Sequence, residues 1–388
     1  MKISMLNPFS KFAAIRQYNL AKAVAKKGHE VTLILPRFDK YSGYKELKFE
    51  EIKNLKIIHP KQFNSKILEI SMIFYIPSAI IKGNKQNYDI VHGFRPTPFS
   101  GFIGQKIAKK QKVPFVLEMG DIEWETMKEL KTHPNYRVKI VKWLEEFLIK
   151  RANGITTMSP TLSDYFEKKY NREIKTIPSG IDSKIFSNKN TDNSIKKIFK
   201  DKLNTKNNLI FIGKLDKVNH ILDVIKVLPK VKEVGLVVVG EGKGKQELQK
   251  LAKDLKVEKR CFFVGRIQHD KIPHYLNAAD ILVAPFSKSM IGAEFTLNLK
   301  ILEYMGMEKP LVVSGIGVLK EILKDSAFLY EPSDLDSFAK QINFIINNKK
   351  ETLKKAKNAR KKILEYDWNK LADELINYYK EIIMNKKF

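Results

Sequence analysis

Cysteine is nearly absent: Cys261 is the single one in 388 residues, so no disulfide can form within the chain. Its setting, CFFVG, reads as a small buried residue entering a strand rather than a reactive thiol. Long apolar runs are missing as well; nowhere do about 18 apolar residues follow one another, as a membrane-spanning helix requires. The nearest approach is ILEISMIFYIPSAII at 67–81, interrupted by Glu69, Ser71, Pro77 and Ser78. It reads as a buried or half-buried helix, or as a surface that enters a lipid headgroup layer. The opening MKISMLNPFSKF lacks a long apolar core and a small-residue cleavage pattern, so it reads as a first strand and not as a signal peptide. No Cys/His cluster has metal-ligand spacing, and neither a Walker A loop nor G-x-S-x-G occurs.

Acidic residues are scarce beside basic ones, 43 against 71, for a net charge of +28. Residues 1–185 hold 33 Lys/Arg against 18 Asp/Glu, and the remainder 38 against 25, so the excess is spread along the chain. Spread positive charge favours anionic partners: phosphate-bearing substrates, an anionic membrane face, or nucleic acid. A generally Lys-rich composition gives the same number with no function attached. The aromatics sit inside apolar runs, with no aromatic-interleaved basic motif, which places nucleic acid last of the three. A hydrophobic fraction of 43% with 23 Phe describes an ordered globular chain. Its length calls for two α/β domains.

The first half alternates short apolar runs with helical stretches. KISMLN, VTLILP, LKIIHP, YDIVHG, PFVLEMG, GITTMS and IKTIPSG read as strands, with FAAIRQYNLAKAVAKKGH and PFSGFIGQKIAKKQ as helices between them. SNKNTDNSIKKIFKDKLNTKN, at 187–207, is polar and poorly periodic and reads as a connection. The pattern restarts with strands LIFIGKL, VGLVVVGEG, RCFFVGRI, DILVAPF and KPLVVSG. Buried strands alternating with helices imply parallel, doubly wound sheets, whose ligands sit beyond the carboxyl ends of the strands.

The loops after those strands carry the candidate chemistry. Lys214 follows LIFIG, where an ammonium can meet a phosphate or simply stand in water. Gly240-Glu241-Gly242-Lys243-Gly244 does not match G-x-G-x-x-G; it reads as a tight turn approaching a phosphate or a neighbouring loop. AEFTLNLKILEYMG, at 293–306, opens a helix at Leu297, Asn298 and Leu299, whose amides together with Lys300 can receive a diphosphate. Glu303 can accept two O–H bonds from a ribose diol, or form an ordinary solvated pair with Lys300. Asp121, after a strand, is either a helix cap or a group facing an acceptor hydroxyl; Glu118, Arg16 and His92 are further cleft candidates. Asp334-Leu335-Asp336 opens a helix and reads as capping rather than as a metal site.

Several stretches in order resemble the retaining glycosyltransferases of family 4, which have the GT-B fold. They are LAKAVAKKGHEVTLILP, YDIVHG, RANGITTMSPTLSDYF with IKTIPSGID, LIFIGKL, VGLVVVGEG, FFVGRI with YLNAADILVAPF, and LNLKILEYMGMEKPLVVSGIGVLKEIL. The resemblance implies two facing Rossmann-like domains of doubly wound parallel sheet. It places an acceptor-side domain at 1–186, a linker at 187–207, a donor domain at 208–365, and a helix at 366–388 returning to the first domain. It implies a hexosyltransferase-type enzyme moving a sugar, with retention and without metal or other cofactor, from a nucleoside-diphosphate sugar. The acceptor would be lipid-linked or a cell-envelope glycan precursor, and the protein cytoplasmic, peripheral on the inner membrane face.

By position, the resemblance assigns Glu303 to the donor ribose and Leu297, Asn298, Leu299 and Lys300 to the diphosphate. Lys214 falls where the family has an Arg at the departing diphosphate, and Gly265, Arg266 and Ile267 fall where backbone contacts the base. Glu294 and Asp121 complete the catalytic set. The acidic pair Glu294 and Glu303 is nine residues apart where the family has eight, and the second family cation falls on Asn219, with Lys217 and His220 beside it. A nucleotide-sugar epimerase-like GT-B enzyme and a non-catalytic nucleotide-sugar-binding protein are the rival readings.

Overall fold

The computed structural model describes residues 1–7, 15–36, 49–61, 68–129, 131, 133–189, 192–215, 221–286, 295 and 297–385. Within helices, the side chains of residues 68–72 and 193 are not described. The chain forms two compact units, residues 1–180 with 368–388 and residues 181–367. Glu294, Asn219, Lys217 and His220 lie outside the described residues.

In the first unit seven strands form one parallel sheet in the order β3-β2-β1-β4-β5-β6-β7. They are β1 (Lys2–Leu6), β2 (Glu30–Ile34), β3 (Leu55–Ile58), β4 (Ile90–Phe94), β5 (Phe115–Met119), β6 (Gly154–Thr157) and β7 (Lys175–Thr176). All seven coincide with the apolar runs of the sequence. A strand covered on both faces cannot alternate apolar with polar, which is why IVHGF and FVLEM are buried at every position.

Right-handed crossovers place the helix Ile15–Lys26 on one face of this sheet and Leu68–Gly83, Ile103–Gln111, Asn135–Ile149 and Pro160–Tyr170 on the other. The last helix, Trp368–Met384, packs on Ile15–Lys26 and so belongs to the first unit. Its Trp368, Leu371, Ala372, Leu375, Ile376, Tyr379 and Ile382 recur at three- and four-residue spacing and are all buried. Each fully buried Leu or Ile of that stripe contributes about 1.5–3 kcal/mol of transfer free energy.

The second sheet is also parallel, in the order β10-β9-β8-β11-β12-β13. Its strands are β8 (Asn207–Ile212), β9 (Val234–Val239), β10 (Cys261–Gly265), β11 (Ile281–Ala284), β12 (Leu311–Ser314) and β13 (Phe328–Tyr330). The sequence reading omits β13, a three-residue edge strand too short to show a period. The stretch at 187–207 is more than a connection, because it holds the helix Asn193–Leu203, capped by Asp192 accepting from the Ser194 amide. Ile195, Phe199 and Leu203, four residues apart, enter the core of the second unit. With the exposed Ile198 they recur at three- and four-residue spacing, a stripe that the sequence reading passed over among the lysines. Ile181 and Phe186 also enter that core. The Phe186 carbonyl accepts from Arg360 at 2.8 Å, so residues 181–186 are held by the second unit and not the first.

In each sheet the chain winds one way and then the other, which creates a switch point. It falls between β1 and β4 in the first unit and between β8 and β11 in the second. At a switch point the loops diverge to opposite faces and leave a crevice at the strand ends.

Candidate functional site

The β8/β11 switch point carries cations. β8 is followed by Gly213 and the exposed Lys214, and the chain after β11 leads into the helix Leu299–Gly306, which bears Lys300. The Lys300 ammonium lies over the rings of Phe211 and Phe286, 4.9 and 5.2 Å from their centres. Cation–π attraction at this range fixes where the head rests. A Cβ on Gly213 would stand 3.3 Å from Lys300 Nζ, so the glycine leaves room for the head beside the strand end. Lys300 and the loop bearing Lys214 are therefore brought to one strand end.

The glycine-rich turn after β9 frames this place. A Cβ on Gly240, whose φ is +144°, would fall 1.8 Å from the Gly213 carbonyl oxygen. On Gly242 it would fall 2.2 Å from the Leu215 oxygen. Gly244 N–H donates to the Leu215 carbonyl at 2.9 Å, and Gly240 N–H to the Gly265 carbonyl at 2.8 Å. Of the two roles open to this turn in the sequence, the neighbouring loop is the one seen. Gly213–Leu215 and the turns after β9 and β10 are thus joined by backbone hydrogen bonds.

The helix Leu299–Gly306 is tied to the same strand. The Ile212 amide of β8 donates to the Tyr304 hydroxyl at 2.8 Å, and Tyr304 is fully buried. Asn298 caps the helix in extended conformation without a side-chain cap bond. Leu297 is buried, while Asn298, Leu299 and Lys300 are half-buried along the helix start. A helix start of this kind directs amides and positive dipole outward toward an anion.

One turn further, Glu303 extends toward the loop after β10. Its Oε1 lies 2.7 Å from His269 Nε2, with the Glu303 side chain 13% exposed and that of His269 57% exposed. The hydrogen bond to Glu303 raises the His269 pKa above its ordinary value, against partial burial, which lowers it. Arg266 is exposed in the same loop, Gly265 and Ile267 are half-buried, and Ile267 packs on the core. Glu303 and the Gly265–Ile267 segment thus meet through His269. Sequence reasoning missed this histidine, although it lies only four residues past Gly265 in FFVGRIQH.

In the first unit the strand-end groups are largely bound internally. Asp121 accepts from the Ile122 amide at 2.9 Å, ahead of the helix Glu123–Glu129. Beside it, Arg95, in the loop after β4, pairs with Glu123 at 2.5 Å. Neither Arg95 nor Glu123 was singled out in the sequence. Arg16 and Glu118 form an ion pair at 2.6 Å, both fully inside, and Arg16 also donates to the Ile177 carbonyl. Burial raises the Glu118 pKa against the pull of the Arg16 guanidinium. His92 is buried and bonded through Nδ1 to the Tyr379 hydroxyl at 2.6 Å, its pKa lowered to about 3 by burial and then by Arg16. Arg16, Glu118 and His92 are therefore engaged inside the first unit rather than at a cleft, and His92 bonds the last helix through Tyr379. A sequence cannot distinguish a strand-end polar group that faces a crevice from one beneath a helix.

Asp334 caps the helix Leu335–Asn347, accepting from the Asp336 and Ser337 amides, and Asp336 pairs with Lys230. Among the described residues no group of three or more His, Cys, Asp or Glu side chains is placed to hold a metal ion. Cys261 starts β10 half-buried, and burial pushes its thiol pKa up to about 12.

Two parallel doubly wound units, with the last helix returning to the first, are the parts of the GT-B fold. The family models for glycosyl transferases group 1 and glycosyltransferase family 4 match residues 193–362 and 13–184. The chain belongs to glycosyltransferase family 4 and is a glycosyltransferase. It is 23% identical to the N-acetyl-alpha-D-glucosaminyl L-malate synthase of Bacillus anthracis, over 95% of this chain and 93% of that one. It is also 23% identical to the alpha-monoglucosyldiacylglycerol synthase of Acholeplasma laidlawii, over 79% and 77%. Among solved structures, Anabaena HepE in complex with UDP-glucose matches with a TM-score of 0.75 and 18% identity, over 98% of this chain and 100% of that one.

Proposed function

We propose that the protein transfers a sugar, with retention and without a metal ion, from a nucleoside-diphosphate sugar held by the second unit. The observation that carries this reading is the Lys300 ammonium resting against Gly213 at the β8/β11 switch point, with Glu303 one helical turn away. Lys214, Lys300 and the amides of Leu297, Asn298 and Leu299 receive the diphosphate. Their positive charge stabilises the leaving group as the glycosidic bond breaks. Glu303 accepts the ribose diol, and Gly265, Arg266 and Ile267 line the base. Glu294 and Asp121 act on the sugar and the acceptor hydroxyl. The donor class is supported by the UDP-glucose complex of HepE, and a lipid-linked or envelope-glycan acceptor by the diacylglycerol-glycosylating relative. The protein then works on the cytoplasmic side, peripheral to the membrane that holds its acceptor.

A thermal-shift screen against UDP-, GDP- and ADP-sugars identifies the donor, since a bound ligand raises apparent stability by mass action. With that donor and a chelator present, Glu303→Ala and Lys214→Ala are expected to lower turnover about a hundredfold or more. The anomeric configuration of the product, read by NMR, should match the donor's. Unchanged rates in both variants would overturn the site assignment, and an inverted product would overturn retention.

A further inference from the structure

Among the described residues of the first unit, seven side chains are large, apolar and exposed, and six of them lie on two helices, Leu68–Gly83 and Asn135–Ile149. Both helices cover the same face of the first sheet and flank the helix Ile103–Gln111 and the single π-helical turn Pro98–Phe102 that leads into it. On Asn135–Ile149, Tyr136, Ile140 and Trp143 follow one another at helical spacing and are 56%, 52% and 58% exposed. The Phe147 ring stacks on Trp143 and continues that stripe. Burying such a stripe in the protein core would be ordinary; here the opposite face of the helix does that, through Val138, Leu144 and Leu148. On Leu68–Gly83, Ile73, Phe74 and Ile81 repeat the arrangement, while Tyr75 and Ala79 point inward.

The charge along the stripe is mostly positive. Arg137, Lys139 and Lys142 flank it on the helix, and Lys150 and Arg151 follow. Arg137 and Arg151 lie over the Tyr136 and Phe147 rings, so cation and aromatic face outward together. Lys106, Lys109 and Lys110 are exposed on the intervening helix. Of the two acids within Asn135–Ile149, Glu145 is buried and bonded to Lys169 and Tyr170, which leaves Glu146. Trp and Tyr with one apolar and one polar edge, rimmed by Lys and Arg, match the boundary between acyl chains and anionic headgroups. A protein partner would also be served by the apolar stripe, but the surplus of about seven cations is complementary to a continuous sheet of phosphates.

We propose that the outer face of Asn135–Ile149, together with that of Leu68–Gly83, is the surface by which this chain docks on an anionic phospholipid bilayer. Its setting rests on the membrane-side reading above, while its grounds are the exposed stripe and its cations. The 67–81 segment that the sequence singled out is thereby one half of a two-helix surface, and the helix bearing Trp143 is the other.

The full chain is sedimented with phosphatidylglycerol/phosphatidylcholine vesicles and with phosphatidylcholine vesicles. Binding is expected to be at least about tenfold stronger to the anionic vesicles and to weaken at 0.5 M salt. Ile140→Glu with Trp143→Glu, at positions already in water, is expected to lower that binding about tenfold or more. Lys139→Glu with Lys142→Glu should do the same and remove most of the salt dependence. Trp143 emission should shift to the blue on binding, a shift that Trp143→Phe removes. Wild-type binding by both double variants overturns the proposal, as does equal binding to neutral vesicles. A wild-type dimer that ignores vesicles and is split by Trp143→Glu also overturns it, because the face is then buried between copies. Glu303→Ala should bind vesicles normally while losing the thermal shift from donor. Loss of only one of the two signals therefore tells whether docking or donor binding has been misread.

Discussion

The two units use the same sheet topology in opposite ways at their strand ends. In the first, polar groups near the strand ends are turned inward: Arg16 against Glu118, neutral His92 against Tyr379, Arg95 against Glu123. In the second, Lys214 is exposed and Lys300 half-buried, while Glu303 reaches a histidine more than half exposed. The first unit's pairs are satisfied among themselves, and one of them, His92 with Tyr379, holds the last helix. The charges of the second lie where an anion can reach them without the protein coming apart. The difference teaches that residue type at a strand end does not mark a site; what matters is whether a helix covers it.

The largest test of that contrast is Arg16→Leu. It leaves the Glu118 carboxylate buried without its cation and should destabilise the first unit by about 3–5 kcal/mol in urea unfolding. Arg16→Leu with Glu118→Leu should recover most of the loss, since removing both charges removes the desolvation penalty. A single-variant loss below about 1 kcal/mol would show that the pair is not an anchor.

Lys300→Ala should act the other way round. We expect donor turnover to fall about a hundredfold, near 2.7 kcal/mol of barrier, with unfolding of the first unit unchanged. Full activity in this variant would break the contrast on the side of the second unit.

The third test is acid stability. His92 stays neutral in the fold down to about pH 3, whereas an unfolded histidine binds its proton near its ordinary value of 6.5. Between those values the unfolded state carries the extra proton, so stability falls as pH falls, by up to about 1.4 kcal/mol per pH unit. His92→Gln should flatten that slope when thermal unfolding is followed between pH 6.5 and 4. An unchanged slope would assign the acid sensitivity elsewhere.

The smallest expected effect is Asp334→Ala. Loss of its cap bonds to the Asp336 and Ser337 amides should cost the second unit about 1 kcal/mol and leave turnover alone. A variant that loses activity in proportion would mean that Asp334 is more than a cap.

The strands were legible because parallel strands buried on both faces read as unbroken apolar runs; only the three-residue β13 escaped. The helix Asn193–Leu203 was passed over although Ile195, Ile198, Phe199 and Leu203 recur at helical spacing, because the Lys- and Asn-rich flanks read as a polar connection. The positions of Lys300, Glu303 and Lys214 after strands were legible, and the fold brings Lys300 and the Lys214 segment to one strand end. His269 was not legible, since its meeting with Glu303 spans 34 residues and joins the loop after β10 to the helix Leu299–Gly306. The exposed Trp143 face was equally silent: an amphipathic helix with apolar residues on two sides looks, in sequence, like one that is simply buried.

Alternating apolar runs and helices by themselves determined two doubly wound units, and ordered motifs over nearly the whole chain determined a family 4 glycosyltransferase. Tertiary structure alone decided which charges are anchors and which stand at the rim, because a carboxylate or a guanidinium has the same letter beneath a helix as beside a crevice. Burial, and with it the cost of holding a charge, is set by what packs over a residue from far along the chain.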